Sequence, residues 1–150
     1  MTLEEKIIGM LADNKISYGV FTHEPVYTNP VMAEVLGVTE GETVKSLVLT
    51  TREKEMIILV LPGDKRVNWK QAAAGVGTRK VSFARPEAVA AAVGCEVGCV
   101  PPFGHLTPLP VFMDKEMASK DFVYFNPGVH DKSFKIKAAD LKNLCRATMI

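Results

Sequence analysis

The sequence predicts an α+β fold, a mixed sheet with helices packed outside it. Three observations carry this. Helix-like and strand-like hydrophobic periods interleave along the chain without the regular βαβ alternation of a doubly wound fold. Two neighbouring strand patterns, 43–51 and 55–61, are joined by the charged link Arg52-Glu53-Lys54 and read as a hairpin. The 150 residues, 47% of them apolar, are the usual size of one domain and enough to bury a sizeable core. No repeat, low-complexity tract or linker interrupts them, so one domain over 1–150 is expected.

Taken in order, residues 3–14 read as an amphipathic helix, with Leu3, Ile7, Ile8 and Leu11 on one face. Thr2 and Glu5 have the spacing of a capping box. Residues 16–22 suit a strand. Asn29-Pro30 starts a second helix and Gly37 stops it. After the hairpin, Pro62-Gly63-Asp64 is a turn, and Asn68 caps a short helix over 69–74. A short strand at 80–83 precedes an Ala-rich helix from Pro86 to about Gly94. The Gly- and Pro-rich stretch 95–110 reads as a loop. Strands follow at 109–113, 122–126 and 133–137, the last two parted by the turn Asn126-Pro127-Gly128, and a helix closes at 138–145.

Composition excludes several classes. No apolar run reaches the roughly 18 to 20 residues that span a bilayer, and the charged N-terminus does not read as a signal peptide. A cytoplasmic protein without a membrane partner is expected. Three cysteines argue against a disulfide framework. The formal net charge is +1, but residues 64–85 carry Lys65, Arg66, Lys70, Arg79, Lys80 and Arg85 against Asp64 alone. Such a cluster can meet phosphates, although it is also what an ordinary solvated surface looks like.

Chemistry-bearing residues are few. Lys45 shares a strand face with Leu47 and Leu49. A lysine there is either put to use or sits at the strand end and reaches water. The loop from Gly94 to His105 allows close backbone approach, and its N–H groups could hold a developing oxyanion; a plain structural turn is the alternative. Cys95, Cys99 and His105 lack the spacing of a convincing zinc site. Cys99 beside His105 or His130 could act as a nucleophile, but a cysteine in a tight loop is more often packed than reactive. His23 and His130 flank strand ends, where pockets form. There is no P-loop, dinucleotide fingerprint, HExxH or Gly-x-Ser-x-Gly elbow.

Four segments together resemble the YbaK-type deacylases, the family that includes the editing insertion of bacterial prolyl-tRNA synthetases. They are His23-Glu24-Pro25-Val26-Tyr27-Thr28, Val44-Lys45-Ser46-Leu47-Val48-Leu49, the loop 94–104, and Tyr124-Phe125-Asn126-Pro127-Gly128-Val129-His130-Asp131. Leu61-Pro62-Gly63-Asp64 with Asn68 and Lys70 adds to the likeness. Pro127 departs from the small residue usual at its position.

The resemblance implies a barrel-like mixed sheet ringed by helices. It implies hydrolysis of the ester joining a wrong, small amino acid to the 3′ end of a tRNA such as a proline tRNA. No cofactor or metal is implied. Lys45 matches the family's essential lysine, and Gly98, Cys99 and Val100 its polarising loop. His23, Thr28, Ser46, Pro101, Pro102, Phe103, Gly104 and His130 are then expected around the substrate, with Val100 and Phe103 as an apolar wall. Lys65, Arg66, Lys70, Arg79 and Lys80 are expected to meet the tRNA. The expected partners are aminoacyl-tRNA and a prolyl-tRNA synthetase, not DNA. The competing expectation is a non-catalytic tRNA-binding module, which needs the basic cluster but not Lys45.

Overall fold

The computed structural model describes residues 1–98 and 100–150; for His105 it describes the backbone alone. Among them lie helices α1 (Leu3–Asp13), α2 (Asn29–Leu36), α3 (Trp69–Val76), α4 (Pro86–Val93) and α5 (Ala138–Leu144). The strands are β1 (Gly19–Thr22), β2 (Val44–Thr51), β3 (Met56–Pro62), β4 (Val81–Phe83), β5 (Val111–Met113), β6 (Phe122–Phe125), β7 (Lys132–Lys137) and β8 (Thr148–Met149).

Local chemistry sets the helix ends. Thr2 and Glu5 form the reciprocal capping box, which contributes about 1 kcal/mol to α1. Asn68 accepts from the Gln71 N–H at 3.1 Å and so starts α3. Gly37, Gly77 and Gly94 end α2, α3 and α4 in the left-handed conformation, which costs glycine nothing because it has no Cβ. The chain also forms short 3-10 turns at Glu40–Glu42, Gly104–Leu106 and Lys115–Ser119. Their hydrophobic signal is too short to stand out from a loop.

The strands build two sheets. One is antiparallel, in the order β1-β7-β6. The other runs β4-β2-β3-β5-β8; β2 pairs antiparallel with β3 and β4, whereas β3, β5 and β8 are parallel. The hairpin register sets Lys45 opposite Leu61. A single parallel bridge, Thr43 to Tyr124, links the sheets among the described residues. The α+β class with a mixed sheet therefore holds. A barrel-like closure is absent among the described residues, because the two ladders meet only at that bridge.

The larger sheet is buried on both faces, and β2 divides its side chains between two cores. Val44 and Val48 join Ile58, Val60, Phe103, Phe125 and Phe134 in the main core, closed by α1, α4 and α5. Phe125 packs edge-on against Phe103 and Phe134 at 5.3 and 5.7 Å, each pair adding roughly 0.5–1.5 kcal/mol beyond its buried area. Leu47 and Leu49 turn the other way, towards Leu59, Leu61, Ala72 and Ala73 beneath α3. A third cluster, Val26, Met32 and Tyr124, seats α2 on the smaller sheet. None of the described helices is long and apolar enough to cross a membrane.

Candidate active site

A cavity of about 700 Å³ opens where β2 begins. Its wall takes Lys45, Ser46 and Leu47 from β2, Thr28, Asn29 and Pro30 from the start of α2, and Gly98 and Val100 from the loop after α4. Gly63, Asp64 and Arg66 from the turn after β3, and Asn126 after β6, complete much of the rest. Segments far apart in sequence thus converge on the β2 entrance.

The alternation of β2 aims Lys45 at the α3 side, with Leu47 and Leu49. Its ammonium stays at the cavity wall, donating to the Lys65 carbonyl at 2.8 Å. Partial burial holds its pKa below the ordinary lysine value. Glu40 and Asp64 push in the opposite direction, and Arg66 reinforces the lowering. The result is a half-desolvated cation in a wall that carries both signs of charge.

Two asparagines brace the rim. Asn29 donates its amide to the Thr43 hydroxyl at 3.0 Å and to the Val44 carbonyl at 3.1 Å, pinning α2 to the start of β2. Thr28 caps α2, and the first turn of the helix brings partial positive potential to the cavity. Opposite, Asn126 donates to the Gly98 carbonyl at 2.9 Å, while its own Oδ1 is buried and finds no partner among the described residues. Gly98 has φ +96°, and a Cβ there would stand 3.0 Å from the Tyr27 carbonyl oxygen, so only glycine fits without strain. Gly63 is tighter still, since a Cβ would strike the Thr43 hydroxyl and come within 2.5 Å of the Glu40 carbonyl oxygen.

Of the residues expected around the substrate, Lys45, Thr28, Ser46, Gly98 and Val100 line this cavity, as does Arg66 from the basic set. Cys99 lies outside the described residues. His23 lies elsewhere. Its Nδ1–H donates to the Glu24 carbonyl at 2.7 Å and its Nε2 accepts from the buried Ser133 hydroxyl at 2.8 Å, a structural pairing. His130 sits behind the loop: Nδ1 donates to the Val26 carbonyl at 3.0 Å, Nε2 stands 3.2 Å from Glu96, and the ring packs on Tyr27 at 4.4 Å. Phe103 is fully buried in the main core and so forms no cavity wall. Pro101, Pro102 and Gly104 are buried too, and Gly104 packs so closely on Leu109 that no Cβ would fit.

The basic residues divide in the same way. Lys65 is engaged by Asp114 at 2.7 Å and lies 3.8 Å from Glu116. Its hydrogen bond to Asp114 raises its pKa. Lys70, Arg79 and Lys80 line a second hollow beside α3.

Comparison with known proteins shows the family to which the chain belongs. The sequence model of the aminoacyl-tRNA editing domain matches residues 23–144. The chain belongs to the aminoacyl-tRNA editing domain family. It is 27% identical to the multifunctional Ser/Thr-tRNA deacylase ProXp-y of Escherichia coli (strain K12), over 97% of this chain and 90% of that protein. It is 25% identical to the prolyl-tRNA editing protein ProX of Acetoanaerobium sticklandii, over 98% and 93%. Among solved structures, one described as a candidate trans-editing enzyme for prolyl-tRNA synthetase superposes with a TM-score of 0.85 at 26% identity, covering 100% of this chain and 96% of that one.

For an aminoacyl-tRNA editing domain, the cavity holds side chains that sequence reading did not single out. Asn126 was visible as a turn residue and as part of a family-like segment, without a role of its own, and Asn29 only as the start of a helix. Neither has a signal of its own, because an asparagine that braces a cavity and one that caps a turn look alike in sequence. Asp64 read as a turn residue within a family-like stretch, and Glu40 drew no reading at all.

Proposed function

We propose that the chain is a trans-editing aminoacyl-tRNA deacylase, hydrolysing the ester between a small amino acid and the 3′ end of a tRNA. Alanine, serine, threonine and cysteine are the side chains of the right size. The family and the names carried by full-length relatives support the reaction class. The observation that carries the reading to a site is the half-desolvated Lys45 ammonium facing the Gly98 loop across a cavity of about 700 Å³. A cavity of this kind suits an acyl group and the ribose that bears it.

In the proposed mechanism Lys45 holds the terminal phosphate or the ester carbonyl through charge and hydrogen bonding. Backbone N–H groups of the loop, at Gly98 and Val100, polarise the carbonyl and stabilise the oxyanion as it forms. A positioned water adds to the carbonyl carbon. The tetrahedral species then expels the ribose oxygen, which takes up the proton the water gives away, leaving free amino acid and tRNA. With a cysteinyl ester, the substrate's own thiol can attack in place of water: the carbon–sulfur bond forms, the ribose oxygen leaves with the thiol's proton, and the cyclic thioester released is opened by water to free cysteine. Positioning and polarisation do the work, and no step calls on a protein nucleophile.

An editing step has a physical rationale. A synthetase pocket discriminates by only about 1–3 kcal/mol per methylene, so smaller amino acids are mischarged and a second hydrolytic site must remove them. A prolyl-tRNA synthetase is the proposed source of such errors, in keeping with the description of the solved structure.

Deacylation of alanyl-, seryl-, threonyl- and cysteinyl-tRNA by the wild type and by Lys45→Ala tests the reading. Turnover that collapses in the variant supports it and names the substrate. Binding of tRNA without turnover of any member, by folded protein, would replace it with a non-catalytic tRNA-binding module.

A further inference from the structure

Beside the candidate active site, α3 and β4 enclose a second hollow of about 630 Å³. Trp69, Phe83, Lys70, Arg79 and Lys80 give it its character. Trp69 and Phe83 meet edge to face, with ring centroids 5.0 Å apart and planes at 88°. They remain 40% and 61% exposed. Leaving two aromatic rings in water forgoes the stabilisation that burial would bring, so an exposed pair in a hollow marks a contact surface. Both rings also line the Lys45 cavity. They form the ridge between the two hollows, and a ligand seated in one can continue into the other.

The charge of the hollow selects the ligand. Its ionisable wall residues, Lys70, Arg79 and Lys80, are all cations. A carboxylate at its rim, Glu53, already accepts from the Thr78 hydroxyl at 2.8 Å. Aromatic faces interleaved with cations suit unpaired nucleotides: bases stack on rings, and phosphates meet the cations whatever the sequence.

We propose that this hollow seats an unpaired nucleobase of the substrate's single-stranded 3′ end, stacked on the Trp69–Phe83 ridge, with its phosphates held by Lys70, Arg79 and Lys80. The inference rests on the proposed deacylase function and extends it: the ridge feeds the terminal ribose towards Lys45, and the basic residues act on the acceptor end.

Trp69 is the sole tryptophan of the chain, so intrinsic fluorescence reports on the ridge directly. The test titrates wild-type protein at low salt with the uncharged RNA tetranucleotide ACCA and, separately, with a ribose-phosphate chain of the same length that lacks bases. Saturable quenching by ACCA, with affinity for the abasic chain weaker by on the order of 10-fold, is the expected result. Phe83→Ala should bring ACCA down towards the abasic level. No quenching, or equal affinity for both chains, overturns the seat. Deacylation of charged tRNA is measured on the same preparation. Lys45-dependent turnover without base-dependent quenching removes the seat and leaves the enzyme. Base-dependent quenching without turnover removes the enzyme and leaves a single-strand binding seat.

Discussion

The Lys45 ammonium donates to the carbonyl of Lys65 at 2.8 Å, so a neutral group orients the cation and its charge is not cancelled at contact. Lys65, by contrast, carries its own charge to Asp114 at 2.7 Å. Two lysines joined by this contact thus differ, one with charge available to a substrate at the cavity wall and the other engaged in holding the chain together.

Replacing Lys45 by methionine should abolish deacylation, by about 100-fold or more if it assists the carbonyl as an oxyanion donor does, without lowering the melting temperature. The sign follows from the pKa direction. Burial lowers the Lys45 pKa, so below that value the folded state bears the desolvation penalty. The penalty is relieved as pH rises through the depressed folded pKa. Removing the ammonium therefore costs no favourable linkage at neutral pH. Initial rates and thermal denaturation at pH 7 check this. A variant that loses stability while keeping its rate would make Lys45 structural.

Gly98→Ala forces a Cβ into a backbone at φ +96°, with the Tyr27 carbonyl oxygen 3.0 Å away. A loss of roughly 1–2 kcal/mol in urea unfolding is expected from the backbone alone. The rate should fall further than stability explains, because the loop carbonyl that Asn126 grips would shift. Asn126→Ala should reproduce the loss of rate without the backbone strain. Equal rates in all three proteins would remove the loop from the mechanism.

Lys65→Ala strips a buried carboxylate of its cation, since Asp114 is only 7% exposed. The expected cost is about 1–3 kcal/mol of stability, with tRNA affinity changed less than in Lys70→Ala or Arg79→Ala. A double-mutant cycle with Asp114→Asn isolates the pair. If Lys65→Ala weakened tRNA binding most and left stability intact, Lys65 would belong with the phosphate contacts.

Cys145 is packed under α5, its thiol donating to the Leu141 carbonyl at 2.9 Å, and burial pushes its pKa from 9.0 up to about 12. The raised folded value means that its contribution is intact below pH 9 and declines as the unfolded chain ionises, up to about pH 12. Between pH 8 and 10 the wild type should lose about 1 kcal/mol more than Cys145→Ala. Urea unfolding at the two pH values measures the difference; parallel losses would show the thiol to be equally solvated in both states.

The sequence disclosed most where physics is local. The capping box at Thr2 and Glu5, the Asn68 cap, the glycine stops and the β2–β3 hairpin follow from a few adjacent residues. The face on which Lys45 lies followed from strand alternation. What stayed hidden depends on contacts between distant segments. β8 has two residues and pairs only because β5 lies beside it. Phe103 and His130 sit in loops whose composition suggested a pocket, yet the packing of Phe125 and the carbonyl of Val26 direct them elsewhere. Trp69 and Phe83 looked like the first residue of a helix and the last of a strand, and nothing in the chain announces that their rings meet.

The bridge between Thr43 and Tyr124 has a bearing on how such a site can diversify. Each partner lies two positions before a wall residue, Lys45 and Asn126, so the bridge acts as a gauge block between opposite walls. Parting the sheets to admit a larger acyl group would break the gauge and disturb Lys45 and the Gly98 loop together. Exchanging a wall side chain such as Ser46 or Leu47 leaves the spacing untouched. Relatives that differ in the amino acid they accept are then expected to differ in those side chains while retaining the same separation between strands.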